Sequence, residues 1–518
     1  MKNFNADGRH QHPTLPQRLE LERRGFLRLL GLGASVTAIA SFTGCSFFGP
    51  REAVVTVGQV DFRNPLRIPP VAQPVRRDGQ IVFDLAMQAG TTPLVAAGDT
   101  DTWGINGSIL GPTLRAGRGD HVLVNVRNEL GEATTLHWHG MHLPAIADGG
   151  PHQMIAPGAE QASSWKVDQP AATLWYHPHP HGQTEKHVYR GLGGMFIVDD
   201  DDEAALDLPH AYGVDDVPII VQDKTFDASG QFLETERYDT GMLGDTILVN
   251  GTIAPVFEIT TERTRLRLLN ASTARSYGFG FSDGREFMMI ASDGGLLAAP
   301  IRLTRIQLTP GERAEIILDA AAGETVALRS YPQALGLSDR QALDSGADDE
   351  LDILLFRVAA ELGASSEIPV RLAEIEPLEV AAVAATRQFD LQSFQINGQL
   401  MDMNRIDTVV TVDTTEIWEV RNGHGTPHNF HIHDVQFQVV DIDGRRPAAE
   451  LAGWKDTVYL PPQATLRLIM RFGKHSDPAV PYMYHCHMLW HEDVGMMGQF
   501  VVVEPGRDIA PLDGSHHG

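Results

Sequence analysis

YMYHCHMLWHEDVGMM, residues 482–497, is the stretch from which the rest of this sequence is interpreted. Successive side chains of a strand point to opposite faces, so the two histidines that flank Cys486 face one way and Cys486 faces the other. A thiolate, two imidazoles and a distant thioether form the ligand set of an electron-transfer copper. Cys486, His491 and Met496 lie close enough in sequence to supply three of these four ligands. The stretch therefore predicts two metal sites joined by one strand.

Three further histidine clusters supply the remaining ligands. They read LHWHG at 136–140, YHPHPHG at 176–182 and HNFHIH at 428–433. Each contains a pair of histidines with one residue between them, which places both imidazoles on one face of a strand. Structural zinc needs about four ligands, fewer than these clusters offer, so a zinc site is disfavoured.

The four segments, in this order, resemble the copper-binding signatures of the multicopper oxidases, the family of laccases, ferroxidases and bacterial cuprous oxidases. The resemblance covers the chain after about residue 50 and implies four coppers: one of type 1, one of type 2 and two of type 3. It implies these type 1 ligands: His428, Cys486, His491 and, as axial ligand, Met496. It implies these type 2 ligands: His137 and His431. It implies these type 3 ligands: His139, His177, His179, His433, His485 and His487. Met497 stays an alternative axial ligand, because only the family spacing selects Met496.

Two carboxylates are candidate catalytic residues, because reduction of oxygen to water consumes protons as well as electrons. Asp148, in ADGG at 147–150, matches an acid that related bacterial enzymes use to deliver protons. The alternative is a turn aspartate before two glycines. Glu492 matches a second proton-delivering acid, and a salt-bridged surface glutamate is its alternative.

The chain has short alternating or apolar runs broken by Gly, Pro, Asn and Asp, a pattern typical of β-sandwiches. An Asn-Gly phrase recurs at 106, 250 and 397, at spacings of about 145 residues, which suggests tandem copies. With the resemblance, this predicts an all-β protein of three cupredoxin-like Greek-key β-sandwich domains. The predicted boundaries are 51–200, 201–365 and 385–506, with a linker at 366–384 and a tail at 507–518.

Residues 1–45 read as a twin-arginine export signal, with Arg23-Arg24 before a short apolar run. The run is too short for a confident membrane span. Cys45 follows Gly44 as in bacterial lipoproteins, although Phe42 departs from the usual leucine, so a lipid anchor at Cys45 and an ordinary cleavable signal are both open. Either predicts an exported protein, periplasmic or otherwise extracytoplasmic.

The formal charge of −26 disfavours nucleic-acid partners and attracts cations. Only two cysteines, Cys45 and Cys486, are present, so no disulfide framework is expected. No obvious apolar association segment is visible, and we expect a monomer.

Whole-chain likeness is strongest to the cuprous oxidases of copper tolerance, with AGWKDT at 452–457 among the shared phrases. The methionine-rich insert of those enzymes is absent, and His424 and Thr426 replace their substrate-copper Asp and Met. Fewer soft ligands select Cu(I) less strongly, and a type 1 site without that lid should be more open to organic reductants. We therefore expect a laccase-like oxidase that passes electrons from phenols and aromatic amines, or from Cu(I) or Fe(II), to O2. The alternatives are a cuprous oxidase or ferroxidase of copper tolerance, and a non-catalytic copper carrier or scaffold.

Overall fold

The computed structural model describes residues 51–235 and 237–510. The predicted export signal, Cys45 and residues 511–518 of the predicted tail lie outside the described residues. Within them, no helix has the length and apolar character needed to cross a membrane.

The first sandwich encloses a core to which β6 contributes Val122, Val124 and Val126, every second residue of the strand. Its elements, with β1 that precedes them, are β1 (Asn64–Pro65), β2 (Val75–Arg77), β3 (Gln80–Val95), β4 (Gly98–Ile105), β5 (Leu114–Gly117), β6 (His121–Asn128), β7 (His137–His139), β8 (Glu160–Lys166), β9 (Ala172–His177), α1 (Thr184–Tyr189) and β10 (Gly194–Asp199). One sheet has the order β2-β3-β6-β8 with β4 on β3, and the other has the order β5-β10-β9-β7. The helix α2 (Asp201–Ala204) follows.

The second sandwich is built from a seven-stranded and a six-stranded sheet. Its elements are β11 (Asp216–Lys224), β12 (Thr246–Val249), β13 (Thr252–Ile253), β14 (Pro255–Thr261), β15 (Arg263–Asn270), β16 (Tyr277–Phe281), β17 (Phe287–Ser292), β18 (Gly295–Leu303), β19 (Ile306–Leu308), β20 (Arg313–Asp319), β21 (Thr325–Ser330), α3 (Asp339–Ser345) and β22 (Leu351–Gly363). The sheet orders are β13-β12-β11-β15-β20-β17-β18 and β1-β14-β22-β21-β16-β19. Strand β1 thus pairs with the second sandwich, although the sequence assigns residues from 51 onward to the first.

The third sandwich packs its two five-stranded sheets around Trp418, which is fully buried among aromatic rings. Its elements are β23 (Ala385–Gln392), β24 (Gln395–Ile396), β25 (Thr408–Thr411), β26 (Thr414–Asn422), β27 (His428–Ile432), β28 (Phe437–Ile442), β29 (Thr457–Leu460), β30 (Thr465–Phe472), β31 (Asp477–His485), α4 (Leu489–Asp493) and β32 (Met497–Val503). The sheet orders are β24-β23-β26-β30-β28 and β25-β32-β31-β27-β29. The boundaries drawn from the sequence remain a prediction.

Strand register brings the histidine clusters together in pairs. In the first sandwich β7 runs antiparallel to β9 with His137 opposite His177. In the third, β27 runs antiparallel to β31 with His431 opposite His485. Cross-strand partners share a face of the sheet. Each pair of strands therefore presents its imidazoles on one surface.

Lys224, at the end of β11, is a buried lysine whose Nζ has no hydrogen-bond partner among the described residues. The Nζ lies 4.2 Å from the centre of the Tyr189 ring. Burial lowers the pKa of Lys224 from 10.5 to about 7, against the opposing charge of Asp223 and its acidic neighbours. Below about pH 7 the folded state must bury the ammonium, and this penalty fades as the pH rises to 10.5.

Lys224→Met is therefore expected to stabilise the protein, and more at low pH. The pKa gap corresponds to about 3 to 5 kcal/mol below pH 7, at about 1.4 kcal/mol per unit. We expect the rise in Tm over the parent to be roughly twice as large at pH 6 as at pH 9. The exposed Lys166 supplies the control variant Lys166→Met. An equal rise at both pH values would contradict a neutralised Lys224.

Candidate metal centres

One group of ligands, which we call the cysteine site, consists of His428, Cys486, His491 and Met496. The Sγ of Cys486 lies 3.6 Å from Nδ1 of His428 and 3.4 Å from Nδ1 of His491. The two Nδ1 atoms are 3.0 Å apart. All four side chains are buried. The described coordinates thus bring a thiol and two imidazole nitrogens to one point.

The axial position favours Met496 over Met497. Met496 packs in the apolar core that also contains Cys486. Met497 begins β32 and pairs directly with His485, so it faces the same side of the sheet as that histidine. Met496, its neighbour, faces the side of Cys486, as the sequence-based assignment requires.

A second group, the eight-histidine site, lies between the first and third sandwiches. It consists of His137, His139, His177, His179, His431, His433, His485 and His487, all of them buried. Nε2 of His177 lies 3.4 Å from Nδ1 of His139 and 3.4 Å from Nε2 of His487. Nε2 of His485 lies 3.2 Å from Nε2 of His179 and 3.3 Å from Nε2 of His433. These are two three-nitrogen sets, each with ligands from both sandwiches.

The remaining two imidazoles, His137 and His431, direct unpartnered nitrogens into the same space. Their Nδ1 atoms donate to the backbone carbonyls of Asp148 and Asp456, both at 2.9 Å. Their Nε2 atoms are buried and have no hydrogen-bond partner among the described residues. A ring nitrogen that donates on one side offers its lone pair on the other, as metal-binding histidines do.

Burial favours the neutral form of seven imidazoles of the eight-histidine site. Burial lowers the pKa of all seven, and the electrostatic influence of neighbouring imidazoles lowers it further. The seven are His139, His177, His179, His431, His433, His485 and His487. Neutral imidazole is the form that binds a metal. The same burial raises the pKa of the Cys486 thiol to about 12, so metal binding there must displace a proton.

Asp148 lies against the eight-histidine site on the side of His433. Its Oδ2 accepts a 2.7 Å hydrogen bond from Nδ1 of His433, and its Oδ1 is 3.4 Å from Nδ1 of His137. Burial alone would raise the pKa of Asp148, but the electrostatic interaction and hydrogen bonding with His433 and His137 outweigh it and lower the pKa. Gly149 makes the turn possible: its φ is +75°, and a Cβ there would lie 1.8 Å from the carbonyl oxygen of Leu136.

Glu492 is buried, which contradicts the alternative of a surface glutamate. Its Oε1 and Oε2 lie 3.2 Å from Nδ1 of His179 and of His485 respectively. Thr184 donates a 2.6 Å hydrogen bond to Oε1. Burial and the charge of Asp493 raise the pKa of Glu492. The pKa values of Asp148 and Glu492 are thus shifted in opposite directions, which suits the two carboxylates to different roles.

The expected openness of the cysteine site is wrong. His491 is fully buried, and its Nε2 donates a 2.7 Å hydrogen bond to the backbone carbonyl of Asp239. The ring of Phe394 lies edge-on against His491, with centroids 5.0 Å apart. The methionine-rich insert is absent, but a loop of the second sandwich covers the ligand instead.

Models of the multicopper oxidase family match residues 87–203, 215–333 and 376–506. The chain belongs to the multicopper oxidase family. This confirms the three cupredoxin-like domains expected from the sequence, and it implies that the multicopper oxidase described here binds copper.

Three similar proteins illustrate the range of this family. Multicopper oxidase mco of Staphylococcus haemolyticus is 36% identical over 447 residues, which are 85% of this chain and 93% of that protein. Cell division protein FtsP of Escherichia coli is 35% identical over 494 residues, 93% of this chain and 99% of that protein. The crystal structure of the laccase from Pediococcus acidilactici has a TM-score of 0.77 at 37% identity, covering 85% of this chain and 94% of that chain.

The donor set of this multicopper oxidase fits copper. A buried nitrogen without a hydrogen-bond partner costs free energy, and the Nε2 atoms of His137 and His431 recover that cost only if a metal takes their lone pairs. A buried thiol beside two imidazoles and a thioether suits a copper that cycles between two oxidation states.

Two histidines without an assigned role are engaged elsewhere. His187 is buried between Thr134 and Glu132, at 2.8 and 2.7 Å, and Nε2 of His152 lies 2.7 Å from Oε1 of Gln499. Sequence reasoning missed Asp456, whose carboxylate contacts His139. The shared phrase at 452–457 was the signal that could have found it.

Proposed function

We propose that this multicopper oxidase takes single electrons from small reducing substrates at the cysteine site and uses four of them to reduce O2 to water at the eight-histidine site. The balance is O2 + 4 e⁻ + 4 H⁺ → 2 H2O. Phenols and aromatic amines are the proposed substrates, and Cu(I) or Fe(II) are further ones. Copper, when bound as one type 1, one type 2 and two type 3 ions, supplies the redox chemistry. The proposed compartment is extracytoplasmic and the proposed state monomeric.

The observation that carries the proposal is the His485-Cys486-His487 tripeptide. Cys486 belongs to the cysteine site, while its two neighbours belong to different three-nitrogen sets of the eight-histidine site. Electrons that enter at the thiolate therefore reach both sets through a short covalent path. A copper carrier has no need of such a connection, and a scaffold has no need of the complete donor set.

Substrate electrons would enter beside His491. The half-buried Phe394 offers an aromatic ring against which an aromatic substrate can pack. Asp239, whose backbone carbonyl accepts the hydrogen bond from His491, has a raised pKa. Burial and the charge of Asp344 raise it, while His424 and Arg340 lower it. The net negative charge of the chain favours cationic reductants, metal ions among them.

Protons would reach the eight-histidine site through its two carboxylates. Glu492, whose pKa is raised by burial, can hold a proton and donate it toward the space between His179 and His485. Asp148 holds His433 with Nδ1 protonated, which leaves Nε2 for the metal. As an anion, Asp148 can also receive protons from solvent and pass them on.

The test is oxygen uptake by the copper-loaded protein with a phenol, an aromatic amine, Cu(I) and Fe(II) as separate reductants. We expect uptake with both the phenol and the amine. Uptake with Cu(I) or Fe(II) alone would move the protein to the copper-tolerance or ferroxidase alternative. Fully metallated protein that consumes no oxygen with any reductant would support the carrier or scaffold reading instead.

A further inference from the structure

His139 is oriented differently from the other histidines of the two three-nitrogen sets. His177, His179, His433, His485 and His487 direct Nε2 toward their set, at the distances given above. His139 instead directs Nδ1 inward, 3.4 Å from Nε2 of His177. Its Nε2 points away and donates a 2.9 Å hydrogen bond to Oδ1 of Asp456. This ring must therefore carry its proton on Nε2 if Nδ1 is to bind a metal.

Asp456 imposes that tautomer. An ionised carboxylate only accepts hydrogen bonds, so a bond to Oδ1 requires N–H at Nε2 of His139. Thr457 cannot serve as the donor to His139, because its hydroxyl donates to the same Oδ1 at 2.9 Å. The backbone carbonyl of Asp456 also accepts the Nδ1 proton of His431, at 2.9 Å. One residue thus orients ligands from the first and third sandwiches.

Arg313 keeps Asp456 in place from the second sandwich. Its Nη1 and Nη2 donate to Oδ1 and Oδ2 of Asp456 at 2.7 and 2.6 Å, and both side chains have no exposed surface. Such a bidentate pairing fixes the carboxylate in position. The Nε of Arg313 also donates to the backbone carbonyl of Thr173 in the first sandwich, at 3.0 Å. All three sandwiches therefore meet at this guanidinium.

We propose that Asp456 and Arg313 form a positioning pair through which the copper-free second sandwich sets the tautomer of His139 and so determines whether the eight-histidine site holds its copper. The inference rests on the proposed function only for the identity of the metal, which is copper. It does not depend on which substrate the protein oxidises. It gives the second sandwich a part in the oxygen-reducing site without any ligand of its own.

The test compares Asp456→Asn with a matched variant, Asp216→Asn. Asp216 is also fully buried and bidentate with an arginine, Arg267, at 2.6 and 3.0 Å, but it touches no predicted ligand. Both variants lose a buried carboxylate charge and should lose stability. Only Asp456→Asn removes the obligatory acceptor, because an asparagine can turn its NH2 group toward His139 and permit the other tautomer.

The readouts are copper per folded chain under chelator competition, the blue absorption of the cysteine site and the electron paramagnetic resonance spectrum. For Asp456→Asn we expect copper retention at the eight-histidine site to weaken about 10- to 100-fold, the range typical of lost outer-shell partners. Blue absorption should persist, while the type 3 ions, normally silent as a coupled pair, should yield uncoupled signals or be lost. Asp216→Asn should keep the full copper content and the parent spectrum.

Unchanged copper retention and an unchanged spectrum in Asp456→Asn would overturn the proposal. If that variant does not fold, Arg313→Lys is the deciding variant. Lysine keeps the positive charge but cannot make the bidentate contact with Asp456. Loss of copper from the eight-histidine site in folded Arg313→Lys supports the pair, and full retention overturns it. None of these readouts uses a reducing substrate, so a wrong substrate assignment would leave the result intact.

Discussion

Cys486→Ser is expected to abolish the blue absorption and substrate-driven oxygen uptake together, while copper at the eight-histidine site remains. A serine hydroxyl is a poor ligand for a copper that must cycle between oxidation states, and it breaks the connection that the thiolate makes between the two sites. Copper content should fall by one ion per chain. The measurements are metal analysis, visible absorption and oxygen uptake on the same preparation.

Met497→Leu is the matched control, since Met497 is buried beside the cysteine site but faces the side of His485. It should retain the blue absorption and oxygen uptake. A Cys486→Ser protein that stays blue would show that Cys486 is not the thiolate ligand of the type 1 site. A shift of the type 1 reduction potential in Met497→Leu would instead reassign the axial ligand.

Glu492→Gln is expected to lower oxygen turnover about 100-fold or more, within the range for loss of a positioned proton donor. Glutamine can preserve the hydrogen bond from Thr184 but cannot release a proton. Reduction of the type 1 site by substrate without oxygen should keep its parent rate, because Glu492 lies on the other side of Cys486. Stopped-flow reduction and steady-state oxygen uptake separate the two steps.

Glu315→Gln provides the comparison for Glu492→Gln. Glu315 is equally buried, but it pairs with Arg265 and Arg267 in the second sandwich and contacts no predicted ligand. It should lower Tm without lowering turnover per folded chain. Equal losses in both variants would indicate that turnover follows the stability of the fold and not a proton at Glu492.

The grouping of the histidines with each other and with Cys486 could be predicted from the sequence because the pattern that sets it is local. Two histidines with one residue between them share a face of any strand, and His485, Cys486 and His487 divide their faces whatever the rest of the fold. What depends on register between distant segments could not be predicted. Asp456 meets His139 across 317 positions of sequence, and no local pattern at either residue encodes that meeting.

The same limit explains the wrong expectation about the cysteine site. The absence of the insert predicts an exposed His491, but the backbone carbonyl of Asp239 covers this residue, and a backbone carbonyl has no sequence signature. Glu492 illustrates the converse: in sequence it resembles any charged residue of a short helix. Its burial arises only because α1 of the first sandwich supplies Thr184 against it.

Because the eight-histidine site is divided between two sandwiches, each copper bound there would act as a removable cross-link. His179 and His485, which belong to one three-nitrogen set, are 306 positions apart, and Cys486 is the only cysteine among the described residues, so no disulfide closes that loop. Because copper binds the folded arrangement and not the open chain, its supply adds to stability by mass action. The copper-starved protein should therefore be the form that proteases degrade, and the amount of protein that persists would follow the copper available to it.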